Sequence, residues 1–116
     1  VKLLDLNVLI YAHRRDFEQH QEYASWLGTV ASGGGAFGAS ELVLSGFVRV
    51  VTNPRIYRVP TSVETALNFV ASLRGAPNYV QLAPGLHHWR IFEDLLRRHH
   101  LAGNDVPDAY HAALAL

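Results

Sequence analysis

Cysteine is absent from this chain, which excludes a disulfide framework, a thiolate metal site and a thiol nucleophile and agrees with a reducing compartment. No apolar run approaches the roughly 20 residues of a membrane-spanning helix. The N-terminus also lacks the charged, apolar and small-residue order of a signal peptide. These absences predict a soluble, cytoplasmic protein with no membrane partner. Net charge is missing too: basic and acidic residues each number 10, so the overall field gives no attraction for nucleic acid. Lysine is nearly missing, because nine of the ten basic residues are Arg. Arg is the side chain suited to bidentate phosphate contact, and several stand in pairs or near turns: Arg14 with Arg15, Arg55 with Arg58, Arg97 with Arg98.

The 116 residues suffice for a single domain with a real core, taken as residues 1–116. The chain starts at Val1 without a Met and stops at Leu116 inside the apolar, helix-forming run "DAYHAALAL". No capping residue closes that run, so the sequence predicts a domain lacking its C-terminal part.

Val1 to Asp5 reads as a short buried strand, and Leu6 to Ala12 as the helical turn that follows it. Asp16 is the expected cap of a helix carrying Phe17, Tyr23, Ala24, Leu27 and Val30 on one face and ending at "SGGG". "AFGA" reads as a second strand. Ser40 is the expected N-cap of "ELVLSGFVRVV", which Pro54 stops. Thr61 with Glu64 has capping-box spacing for a helix ending at Gly75. "YVQLAP" reads as a third strand, "HHWRIFEDLLRRHHLAG" as a helix ending at Gly103, and "NDVPDAYHAALAL" as a last helix with Pro107 in its first turn. Trp26 and Trp89 fall in apolar helical patterns, as core or dimer-interface residues. Strands alternating with helices predict an α/β layer with a parallel sheet, whose sites lie beyond the carboxyl ends of the strands.

Asp5 stands at such an end, inside "VKLLDLNVLIYA". A buried, unpartnered carboxylate costs several kcal/mol, so Asp5 is expected to have a cation, donors or water beside it. Glu41, Asp105 and Asp108 lie near helix N-termini, where capping and the helix dipole account for each acid taken singly. Gathered with Asp5, they repel: two carboxylates about 5 Å apart at an effective dielectric of about 20 oppose each other by roughly 3 kcal/mol. A hard divalent ion, Mg²⁺ or Mn²⁺, removes that conflict and suits hydrolysis of a phosphodiester. Asn7 is placed to orient a carboxylate or a phosphate oxygen, or to form a local Asx turn. His111, three residues beyond Asp108, shares its helix face and is expected beside the metal ligands, against the substrate, or bonded to a neighbour; Arg14 and Arg15 are expected as further contacts to substrate phosphates, which the resemblance below makes those of RNA.

"LLDLNVLIYA", "SELVLSGFVRVVTNPR", "PGLHHW" and "GNDVPDAYHAALA" together resemble the PIN-domain ribonuclease toxins of the VapC type, along nearly the whole chain. That resemblance implies a three-layer PIN fold with a short parallel sheet flanked by helices. It also implies a metal-dependent endoribonuclease acting on structured RNA such as tRNA or rRNA, a VapB-type antitoxin partner, and a homodimer. By it, Asp5 and Asp108 match the metal-binding aspartates, with Glu41 and Asp105 as further acidic members. The family's second acid often lies about one turn deeper, where Ser45 and Gly46 stand here. Its final strand, with another acid, is expected after Leu116.

Three other readings compete. The doublets His87–His88 and His99–His100 suggest zinc, but adjacent helical residues point in different directions. An aspartyl-phosphate phosphatase using Asp5 as nucleophile usually needs a second acid two residues on, where Asn7 stands. A catalytically impaired PIN-like module that binds RNA or antitoxin keeps the fold without the chemistry.

Overall fold

In the computed structural model, which describes residues 1–115, β1 (Lys2–Leu3) runs parallel to β2 (Phe37–Gly38) with Lys2 opposite Phe37 and Leu3 opposite Gly38. Flanking bonds extend the ladder, from Lys2 N–H to the Ala36 carbonyl and from Leu4 N–H to that of Gly38. Phe37 is bridged on its other side by Tyr79. Here the expected third strand is reduced to isolated bridge residues at Tyr79 and Leu82, because β2 offers only two residues before the chain turns into a helix. Nor is the first strand buried: Lys2, Leu3 and Asp5 are exposed, and only Leu4 points into the core.

Six helices complete the described chain, giving an α/β fold in which contacts divide the residues into two units, Val1–Gln81 and Leu82–Leu116. In the first unit, α1 (Leu6–His13) packs against both α2 (His20–Ser32) and α3 (Glu41–Val51). Leu9, Phe37, Phe47 and Val51 are its fully buried centre. α3 begins where Ser40, extended and buried, accepts a hydrogen bond from Val43 N–H, the expected cap. α2 starts at His20 rather than after Asp16, because the Asp16 carboxylate is held by Arg14 instead of by helix N–H groups. α4 (Val63–Arg74) is capped by Ser62, not Thr61. The Thr61 hydroxyl is instead taken by His13 and Arg14.

The second unit pairs α5 (His88–Arg98) with α6 (Asp105–Ala115) around Phe92, Ala109 and Ala113. Buried His88 donates from Nε2 to the Tyr110 carbonyl at 3.0 Å, which ties the two helices together. α5 ends at Arg98, earlier than Gly103, in a Schellman turn. There His100 takes the left-handed conformation (φ 52°) and Leu101 N–H reaches the Leu96 carbonyl. Gly103, also left-handed, lies in the loop before α6. Trp26 and Trp89 are not core residues: they remain 40% and 63% exposed, on the outer faces of their helices. The strand expected beyond Leu116 lies outside the described residues, and no helix among those residues is long and apolar enough to cross a membrane.

Candidate active site

Two parallel strands end side by side in the first unit, and each hands the chain to a helix within a few residues. Asp5 is the extended residue before α1, and Glu41 is the first residue of α3. Parallel register puts both acids at the carboxyl edge of the sheet, where sites of α/β layers form. Both are exposed, and Asp5 spends no side-chain hydrogen bond on capping α1. Solvent therefore carries the charge of Asp5, and the burial cost inferred from its apolar neighbours does not arise. Asp5 escapes burial because it stands in extended backbone before α1 rather than on the helix, whereas Asn7 lies on the side of α1 opposite buried Leu9, Ile10 and Ala12. Asn7 is exposed there and forms no Asx turn with the described residues. Two helix N-termini at one edge add partial positive charge and unpaired N–H groups, an environment that favours anions.

In the second unit, Asp105 and Asp108 occupy the first turn of α6 with three-residue spacing, so they share a face. Both are exposed and line an open cavity of about 330 Å³ with Leu95, Leu101, Ala109 and Ala112. His111 Nδ1 donates to the Pro107 carbonyl at 2.8 Å, which fixes the ring one turn along from Asp108. Each unit thus presents one pair of acids at helix starts. Among the described residues no three His, Asp or Glu side chains gather closely enough to hold a metal ion. The donors fit a hard divalent cation in chemistry, being carboxylate oxygens open to water.

A charged network that pattern reading missed lies at the other end of α1. Arg14, its side chain only 11% exposed, donates from Nε and Nη2 to the two Asp16 oxygens at 3.0 and 2.7 Å. From Nη1 it donates to the Val59 carbonyl at 2.8 Å and to Thr61 Oγ1 at 3.3 Å. Its guanidinium also stacks 4.0 Å from the Tyr57 ring centre. Every nitrogen of Arg14 is therefore engaged inside the chain, unlike the open RNA contact its sequence position suggests. The Arg14 hydrogen bonds hold the Asp16 carboxyl below the usual range. His13 Nε2 lies 3.0 Å from Thr61 Oγ1, and burial, then the nearby Arg14 and His20 charges, push its pKa down. The short R-x-D spacing of Arg14 and Asp16 was the available signal for the ion pair; nothing local announces Tyr57, Val59 or Thr61 as partners.

Comparison with known proteins adds an independent line. The sequence matches the PIN domain family over residues 2–116. It is 42% identical over 113 residues to the VapC ribonuclease Mb2897 of Mycobacterium bovis, covering 97% of this chain and 77% of that protein. Two Mycobacterium tuberculosis proteins are also similar. Ribonuclease VapC37 is 34% identical over 116 residues, all of this chain and 81% of that protein. Ribonuclease VapC31 is 32% identical over 114 residues, 98% of this chain and 80% of that protein.

Proposed function

The chain belongs to the PIN-domain family, in its VapC-type ribonuclease branch, and from that premise we propose that it is a divalent-metal-dependent endoribonuclease. Its substrate is structured RNA such as tRNA or rRNA, cut at phosphodiester bonds in the cytoplasm. It acts as the toxin of a toxin–antitoxin pair, is neutralised by a VapB-type antitoxin, and works as a homodimer. Both units serve one PIN domain spanning residues 1–116, a reading supported by the unbroken family match.

The observation that carries the proposal is the pairing of Asp5 and Glu41, exposed carboxylates at the carboxyl edge of two adjacent parallel strands, with Asp5 left uncapped. Asp5 and Asp108 are assigned as Mg²⁺ or Mn²⁺ ligands. Such a cation, when bound, would supply Lewis acidity and would neutralise charge on the phosphoryl group. Glu41 and Asp105 orient the attacking water and accept its proton. Asn7, in the first turn of α1, and His111, fixed beside Asp108, steady the substrate phosphate. The N–H groups that begin α1 and α3 favour the same anion.

Incubating purified protein with RNA, with and without EDTA, tests this reading. Cleavage is expected with Mg²⁺ or Mn²⁺, is abolished by EDTA, and falls by orders of magnitude in Asp5→Asn and Asp108→Asn. Cleavage by both variants at the parent rate contradicts the mechanism. RNA binding without any cleavage favours a binding module instead.

A further inference from the structure

The end of α1 far from Asp5 opens into a cleft of about 460 Å³ lined by charged residues Arg14, Arg15, Asp16 and Arg58, with His13 and Thr61. Arg14 and Asp16 cancel in their bidentate pair. Arg15 and Arg58 are exposed and make no hydrogen bond or ion pair among the described residues. Two uncompensated guanidinium groups thus face one cleft in a chain whose formal net charge is zero. Their meeting has a physical cause: the Arg14 bond to the Val59 carbonyl fastens the segment carrying Arg58 to the end of α1, beside Arg15.

We propose that this cleft is a phosphate-binding subsite for the RNA backbone, with Arg15 and Arg58 as the phosphate ligands and Arg14 as the positioning residue that brings them together. The assignment rests on the ribonuclease reading above for the identity of its ligand. Guanidinium forks match phosphodiester oxygens, and an open cleft carrying two exposed guanidinium groups suits an anionic strand lying across it. The placement fits as well. α1 has eight residues and is about 12 Å long, a span that RNA covers in a few nucleotides. A strand at the Asp5 end can therefore lay neighbouring phosphates at the Arg15 end.

The test measures binding of a short single-stranded oligoribonucleotide to the full chain by fluorescence anisotropy across a salt series, with Asp5→Asn as the background that blocks cleavage. Adding Arg15→Gln with Arg58→Gln is expected to weaken binding about tenfold at low salt. It should also flatten the salt dependence of log K by about 0.7 for each phosphate contact removed. Arg74→Gln, the same change of charge on exposed α4, should leave affinity as it was. Unchanged affinity and slope in the double variant overturn the subsite, and loss of poly-glutamate binding with RNA binding intact overturns it in favour of an acidic protein partner. A parallel cleavage assay on the parent chain separates the two failures. No cleavage together with lost RNA binding in the double variant sinks the nuclease reading while the subsite stands. Normal cleavage with unchanged binding sinks the subsite alone.

Discussion

Replacing Arg14 by Ala removes the interactions that join the end of α1 to the segment before α4. A charge-assisted hydrogen bond to a carbonyl, such as that to Val59 at 2.8 Å, contributes about 1.5 to 3 kcal/mol. Stacking on Tyr57 at 4.0 Å adds about 0.5 to 1 kcal/mol. The pair with Asp16 counts for less: the Asp16 side chain is 53% exposed, and solvent screening limits such a pair to about 0.5 to 1 kcal/mol. These effects overlap, so the expected loss is about 3 kcal/mol. With a urea m-value of about 1.5 to 2 kcal/mol/M, the midpoint should fall by about 1.5 to 2 M while m stays constant. Arg14→Lys should recover little, because an ammonium lacks the fork and the planar stacking face. A double-mutant cycle with Asp16→Asn should give a coupling below about 1 kcal/mol. That coupling should be present at neutral pH and disappear as pH falls below about 3.9, because Arg14 holds the folded Asp16 pKa under its unfolded value. A loss below about 1 kcal/mol for Arg14→Ala would refute the claim that this residue fastens the two segments.

Three further outcomes are expected. Burial depresses the folded pKa of His13, so the unfolded chain takes up the proton first. Stability should be full above about pH 6.5 and decline as pH drops from there through the lowered value, and His13→Gln should flatten that part of the urea-midpoint profile. His100 holds a left-handed backbone at φ 52°, so His100→Gly should raise stability by about 1 kcal/mol, read as a higher melting temperature. Ser40→Ala deletes the hydroxyl that accepts from Val43 N–H at the start of α3. It should cost about 1 kcal/mol by urea denaturation and lower RNA cleavage by loosening the turn that presents Glu41.

Local signals carried most of the helical layout. Ser40 capping α3, glycine after Ser32 and Pro107 inside the first turn of α6 all act through neighbouring backbone, so they are legible residue by residue. What escaped was decided by partners far along the chain. Thr61 and Ser62 are both competent caps; the choice fell to Ser62 because His13 and Arg14, nearly fifty positions earlier, claim the Thr61 hydroxyl. Asp16 looked like a cap and became an ion-pair partner for the same kind of reason. Hydrophobic spacing also misjudged Asp5, since it stands in extended backbone between β1 and α1 and stays exposed while Leu4 beside it is buried. The candidate acids were nonetheless visible, because carboxylates at the ends of strands and the starts of helices stand out in an alternating α/β pattern.

Titrating Mn²⁺ into the parent chain and into Asp5→Asn and Asp108→Asn by calorimetry bears most directly on whether these carboxylates hold the divalent ion proposed for RNA hydrolysis. The parent should give a binding isotherm that each single substitution weakens at least about tenfold, a difference of about 1.4 kcal/mol. Parent-like Mn²⁺ affinity in both variants would contradict it.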